Sequence, residues 1–273
     1  MRAPVSVIIP CYRCVGTIER AVSSVVRQTL PPEEVVLVED CSGDEGKTLN
    51  LLYRLQQQYS DKIGLKIIPL KKNSGPAGAR NAGWSAATQP YIAFLDADDE
   101  WCPEKLEIQY TYMRENPDVA VTGHQYVRLR NSQPSLHVSS TKLYKHISPI
   151  SLLFKNCFPT SSVMLRNNIS FRFAAGQRYA EDFYLWQQLA FAGFQVVRIE
   201  APLVNYYKGL YGEGGLSAQL WDMEKGELGN FVALHRAGCI GWLLLITATT
   251  FSMIKYAKRL LVTWINRIVI SRK

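Results

Sequence analysis

The strongest constraint on this chain is a rhythm in the first third of its 273 residues. Short apolar runs at residues 5–9, 34–38, 65–70 and 91–95 alternate with segments of helical spacing at 18–28, 49–59 and 76–87. Pro10 ends the first run, Thr17 is placed to cap the first helix, and Pro76 sits in a first turn, where proline is tolerated. Apolar strands that alternate with helices bury both faces of a mostly parallel sheet, joined by right-handed crossovers. In such a sheet, ligands gather at the carboxyl ends of the strands. Those ends therefore deserve the closest reading. Further on, residues 119–129 read as extended, in one strand or two, and 131–148 as a polar loop over the site. Residues 181–192 and 219–234 read as helices, and 196–199 and 203–207 as two strands.

The composition, 47% hydrophobic and 20% charged, is that of a globular chain. Its length suits one large α/β domain with an appendage, divided here as residues 1–218 and 219–273. The first residues lead straight into an apolar run, so no secretory signal is expected. The six cysteines lack a disulfide-framework spacing. Cys11 and Cys14 make a C-x-x-C, but no second pair completes a zinc set, and small residues in a loop is the favoured reading. A reducing, cytoplasmic setting follows.

The net charge of +8 is unevenly placed. Six of the 31 basic residues (Lys255, Lys258, Arg259, Arg267, Arg272 and Lys273) fall at the end of the chain with no acid among them, and the other 25 nearly balance the 23 acids. A nucleic-acid binder carries its charge on the folded domain, so nucleic acid is not an expected partner.

Four places carry chemistry. Asp96-Ala97-Asp98-Asp99 follows the fourth apolar run. Carboxylates at a strand exit are costly to desolvate unless paired or bound to a cation, and Asp-x-Asp lets two converge on Mn²⁺ or Mg²⁺. One of these acids, Asp99 or Glu100, also suits a cap on a helix beginning near Pro103. Glu39-Asp40 ends the second run, where an acid can accept bonds from a nucleotide's base or ribose; a turn before Ser42-Gly43 explains it equally well. Lys72-Asn73-Ser74-Gly75-Pro76-Ala77-Gly78-Ala79-Arg80-Asn81 has small residues that let a helix approach another backbone, and its Arg80 can present a planar fork to a diphosphate or simply face solvent. It lacks both the phosphate-loop and the dinucleotide patterns. Glu181-Asp182 opens a helix, as a proton acceptor or as plain capping.

In this order, together with Val5-Ser6-Val7-Ile8-Ile9-Pro10-Cys11-Tyr12, these segments closely resemble family 2 glycosyltransferases with the GT-A fold, of the kind that builds bacterial surface polysaccharides. The resemblance covers residues 4–215. It implies a metal-dependent, hexosyltransferase-like, inverting enzyme acting on a nucleotide-sugar donor. Pro10 and Tyr12 would line the nucleotide site, and Asp40, with Glu39 beside it, would contact the base. Lys72, Asn73, Gly75 and Arg80 would lie near the donor. Asp98 would hold the cation, with Asp96 as a second ligand or as a contact to the ribose or sugar. Asp182 would be the general base, with Glu181 next to it. Relatives carry a His after this point; residues 206–211 here have none, which leaves the third protein ligand unassigned. The Gln-x-x-Arg-Trp sequence of processive synthases is also absent, which implies one sugar per encounter.

The tail completes the expectation. Residues 240–254 form an apolar run of 15, short of the ~20 that a crossing helix needs. Beyond it, Ala257, Leu261, Trp264, Ile265 and Ile268 share one helical face, and Lys255, Lys258, Arg259 and Asn266 the other. The alternatives are a helix packed on the catalytic domain and, favoured because no acid balances these bases, an interfacial helix on an anionic membrane, peripheral on its inner face, which would bring the enzyme to a lipid-linked saccharide acceptor. The competing readings are a polyprenyl-phosphate glycosyltransferase, which needs no base, and a membrane-bound scaffold without catalysis.

Overall fold

A computed structural model describes residues 1–129, 143–207 and 219–271. Its strands are β1 (Ala3–Cys11), β2 (Pro32–Glu39), β3 (Gly64–Pro69), β4 (Tyr91–Phe94), β5 (Glu100–Trp101), β6 (Val119–Arg128), β7 (Tyr144–His146), β8 (Met164–Arg166) and β9 (Gln195–Tyr206). The helices are α1 (Ile18–Val26), α2 (Lys47–Gln58), α3 (Gly75–Ala86), α4 (Lys105–Glu115), α5 (Pro149–Phe154), α6 (Glu181–Phe191), α7 (Leu220–Arg236) and α8 (Trp242–Ser271). One sheet runs β3-β2-β1-β4-β8-β6-β9-β5, and β7 pairs with the far side of β9.

The alternating region builds the parallel block β3-β2-β1-β4. The chain moves outward from β1 to β3 and then returns to the other side of β1 as β4. That reversal opens a crevice at the carboxyl ends of β1 and β4. β8 then enters antiparallel beside β4 and turns the sheet into a mixed one. Side chains alternate across β1. Val5, Val7 and Ile9 pack with the apolar faces of α1 and α2, while Ile8 packs on the opposite face with Trp84 of α3 and the Phe173–Trp186 cluster.

Several expectations need correction. Residues 196–199 and 203–206 belong to one continuous strand, β9, which stops one residue short of the expected end and is matched in length by β6, pairing alongside it through several register shifts. Within the segment read as a loop, Tyr144–His146 forms β7 on the edge of β9; residues 131–142 of that segment lie outside the described residues. Thr17 does stand at the α1 N-cap, but its hydroxyl donates to the Cys14 carbonyl rather than accepting from the helix. Cys11 and Cys14 are both buried, and burial pushes the Cys11 thiol well above its ordinary range, as suits packing residues.

The small residues of α3 let it lie directly on the sheet. A Cβ on Gly83 would stand 2.5 Å from Ile8 Cγ2 and 3.0 Å from Val38 Cγ2. Both contacts are rigid, β-branched and fully buried. Gly83→Ala should therefore destabilise the fold by about 1–3 kcal/mol, although alanine favours helix. Urea unfolding would measure this, and an unchanged or raised midpoint would refute it.

Candidate active site

The four sequence-selected places converge on the carboxyl ends of β1, β2 and β4. Tyr12, Cys41, Lys72 and Asn73 line the rim as exposed residues, with Pro10 half-buried below them. The acids at the end of β2 are engaged by main chain. Glu39 accepts from the amides of Cys41 (3.2 Å) and Ser42 (2.7 Å), closing its own turn. Asp40 accepts from the Ser74 amide at 2.7 Å, at the start of α3, and its own carbonyl accepts from Asn73 Nδ2 at 3.1 Å. Burial raises the Asp40 pKa, partly offset by the Ser74 and Gly75 amides. Gly75 adopts a φ of 71°, where a side chain would be strained. The loop after β2 and the loop before α3 are thus fastened together by Asp40, and that union shapes the floor of the cleft.

Arg80 departs most from its sequence reading. It does not face solvent, and its fork is turned to two carboxylates. Only 4% exposed, it donates from one nitrogen to Asp96 and from another to Glu181, both at 2.7 Å. Burial by itself works against its charge, but the facing carboxylates of Asp96 and Glu181 more than offset this and keep it protonated. Glu181, at 7% exposure, is pushed by burial up to about 7, against the pull of Arg80 and with the repulsion of Asp182.

A second link joins the same two acidic clusters. A single 3-10 turn, Thr160–Ser162, leads into β8. Its Thr160 hydroxyl donates to Asp182 Oδ2 at 2.8 Å, and its Ser161 hydroxyl donates to Asp99 Oδ2 at 2.5 Å while accepting from the Asp96 amide. Asp99 therefore does not cap α4, and neither does Glu100, which lies in β5 and bonds Arg27 and Tyr207. Arg20 of α1 donates to the Asp98 carbonyl at 2.7 Å and stacks on Tyr207 at 3.6 Å. Sequence reasoning missed Arg20, Thr160 and Ser161. No motif flags them, because each acts through contacts far along the chain.

Asp96, Asp98 and Asp99 each offer a carboxylate oxygen, all within 4.8 Å of one another. A hard, oxygen-only set of this size fits Mn²⁺ or Mg²⁺. Asp99 was not among the expected ligands. Of the His-lacking stretch 206–211, residues 208–211 lie outside the described residues.

The sequence profile of Glycosyl transferase family 2 matches residues 6–178. The chain belongs to this family. It is 32% identical over 183 residues to the UDP-Glc:alpha-D-GlcNAc-diphosphoundecaprenol beta-1,3-glucosyltransferase WfgD of Escherichia coli, covering 67% of this chain and 68% of that one. It is 31% identical over 210 residues to the putative teichuronic acid biosynthesis glycosyltransferase TuaG of Bacillus subtilis, covering 74% of this chain and 78% of that one. A match at 36% identity to an uncharacterized Nostoc glycosyltransferase covers 58% of this chain and only 49% of that protein's length. The fold is GT-A, as the resemblance implied. Staphylococcus aureus TarS superposes with a TM-score of 0.68 at 19% identity, over 93% of this chain and 71% of TarS. The mannosyltransferase PcManGT of Pyrobaculum calidifontis, solved with GDP-Man and Mn²⁺, gives 0.65 at 18% identity, over 96% and 75%.

Removing Arg80 would leave two largely buried carboxylates facing each other without a cation. Arg80→Ala should cost about 3–5 kcal/mol of stability. Burial pushes Glu181 up to about 7 even beside Arg80, so its ionised form, which Arg80 stabilises, is populated in the wild type at about pH 8 and little at about pH 5.5; the cost should be larger at the higher pH. Denaturant unfolding of wild type and variant at the two pH values checks both the size and the sign.

Proposed function

We propose that the chain is an inverting glycosyltransferase that transfers one sugar from a nucleotide-sugar donor to a hydroxyl of a saccharide acceptor in bacterial polysaccharide or cell-wall glycan synthesis. The observation that carries this reading is the pair of acidic clusters held at a fixed spacing by Arg80 and the Thr160–Ser162 turn. A single displacement needs two acidic functions on opposite sides of the reacting sugar: one to anchor the leaving diphosphate through a cation, one to take a proton.

Asp98, Asp96 and Asp99 are the residues that would hold Mn²⁺ or Mg²⁺. Once bound, the cation supplies a countercharge for the departing diphosphate. Tyr12, Lys72 and Asn73 stand on the exposed rim to receive the nucleoside, over the floor that Glu39, Asp40, Gly75 and Pro10 build. Asp182 takes the acceptor's proton. It is partly exposed and bonded to Thr160 and to the Phe183 amide, whereas Glu181 is occupied by Arg80. Glu181 supports the base through its charge, and Arg80 positions both clusters rather than touching the donor.

The acceptor in this reading is lipid-linked, as the name of the Escherichia coli relative states for that enzyme. The chain would then work from the inner face of the cytoplasmic membrane, residues 1–218 carrying catalysis and the helices beyond meeting the lipid. No described helix is long and apolar enough to cross a membrane. The expected chemistry of this contact changes, however. Lys255 and Arg259, read from sequence as lipid-facing bases, turn inward. Lys255 pairs with Glu227 at 3.3 Å and Arg259 with the fully buried Glu224 at 2.8 Å, so the acids absent from α8 come from α7. The outward face of α8 is apolar instead: Trp242, Leu243, Ile246, Ile254, Leu261 and Trp264 are each more than half exposed. Lipid contact would rest mainly on this apolar stripe, with Lys258 and the terminal bases as an electrostatic supplement.

Two substitutions separate the roles. Asp182→Asn should lower turnover by roughly 10²- to 10⁴-fold with donor affinity nearly unchanged. Asp98→Ala should weaken nucleoside-diphosphate binding itself, and metal-depleted wild type should behave the same way. Calorimetry with UDP and GDP, with and without Mn²⁺, reads binding, and radiolabelled sugar transfer reads turnover. Full activity without metal would refute the cation role, and undiminished transfer by Asp182→Asn to a prenyl phosphate would point to a lipid-phosphate acceptor.

For the membrane, Leu243→Glu combined with Ile254→Glu should abolish flotation on anionic vesicles, while raised salt should weaken wild-type flotation only in part. Loss of a dimer on gel filtration, with flotation intact, would show that the stripe pairs with a second copy instead.

A further inference from the structure

We propose that Asn230 of α7 is a positioning residue for the Glu181–Asp182 pair, acting through the loop before α6 although α7 lies beyond the family's matched region. The proposal rests on the reading of Asp182 as the base.

Four observations meet at one short segment, residues 177–180, just ahead of the pair. First, Ala180 holds a left-handed backbone, φ 54° and ψ 26°, directly before Glu181. A non-glycine residue there is strained and persists only where its surroundings enforce it. Ala180, at the N-cap of α6, has no side-chain bond to the helix that would do so. Second, Asn230, 2% exposed, donates from Nδ2 to the Ala180 carbonyl at 2.9 Å. Third, Asn230 Oδ1 accepts from Gln177 Nε2 at 2.8 Å, and the same Gln177 nitrogen donates to the Tyr179 carbonyl at 2.9 Å. One buried amide thus clamps both ends of the segment. Fourth, Gly226, one helical turn before Asn230, lets α7 lie flat against this backbone: a Cβ there would stand 2.6 Å from the Tyr179 carbonyl oxygen and 3.2 Å from Tyr179 Cβ.

These contacts determine where the first turn of α6 points. The dihedrals of Ala180 fix the direction in which Glu181 and Asp182 leave the loop. Glu181 must reach Arg80 and Asp182 must reach Thr160 from that one turn. Release of Ala180 toward an extended conformation would rotate the turn and misplace the proton acceptor. The Asp96–Asp98–Asp99 side of the cleft is built on β4 and the Thr160–Ser162 turn, so donor binding would persist. The expected signature is a loss in kcat with donor KM preserved.

The experiment uses the full chain. Asn230→Leu keeps the branched four-atom outline and removes both hydrogen bonds; turnover should fall by roughly ten- to a hundred-fold with donor KM unchanged. Asn230→Asp supplies the diagnostic. Its carboxyl can donate to the Ala180 carbonyl only when protonated, so its activity relative to wild type should recover as pH falls, while the ratio for Asn230→Leu stays flat. Gly226→Ala favours helix yet pushes on the loop, and should also lose turnover. Leu234→Ala, in the α7 core but away from residues 177–180, controls for destabilisation and should keep its kcat. Wild-type turnover in Asn230→Leu, a pH-flat ratio in Asn230→Asp, or an equal rate loss in Leu234→Ala would overturn the proposal. Undiminished turnover in Asp182→Asn would instead remove the base assignment on which it rests, independently of the Asn230 result.

Discussion

A buried arginine between two carboxylates is the constraint around which this molecule is arranged. Arg80 reaches Asp96 and Glu181 with separate nitrogens, and neither carboxylate has much water to solvate it. A guanidinium can serve both because its donors form a planar fork; a lysine ammonium could not span them. The geometry requires α3 to sit tight on the sheet so that Arg80 points inward, which the glycine and alanine content of that helix permits. It also requires α6 to start at the right height, which the loop before it must enforce. Electrostatics and backbone packing are therefore one problem in this cleft. The two carboxylates whose burial Arg80 balances sit directly beside the groups proposed to do the chemistry, Asp98 and Asp182.

Much of this was legible from residue order. The parallel block is written in the alternation of apolar runs and helices, and its strand ends named the cleft. Asp96, Asp98, Glu181 and Asp182, which the fold brings to one cleft, stand out in sequence because carboxylates at a strand exit or a helix start contrast with apolar neighbours. What escaped has a common physical cause. Arg80 was given a ligand role because a sequence shows that a side chain is charged, not what balances the charge. Thr160 and Ser161 form hydrogen bonds 22 and 62 residues away, to Asp182 and Asp99, and a short polar turn has no periodicity to betray that. The mixed half of the sheet was harder for the same reason, since β6 and β9 pair through register shifts that break a simple alternation.

The end of the chain shows how a charge count misleads. Counting bases and finding no acid among them placed Lys255 and Arg259 toward lipid. The acids were supplied by the preceding helix, so these bases became interior glue and the apolar residues faced outward. A helical wheel reports which residues share a face, and packing decides which face is inside. Glu224, with no exposed surface, is the residue that decides it here, because a buried carboxylate demands a cation and Arg259 supplies one.

The spacing of the Arg80 contacts along the chain also orders the assembly of the molecule in time. The partner at Asp96 is 16 residues away and the partner at Glu181 is 101. The first lies within the local βαβ unit. The second closes a long loop and has to wait for β8, α6 and the strands between them, since distant contacts carry the larger chain-entropy cost. In the proposed mechanism, an emerging polypeptide can thus complete its nucleotide-side strands early, before the carboxylate assigned to accept the proton is in place. On that mechanism, reactivity would arrive only once the distant partner of Arg80 has docked.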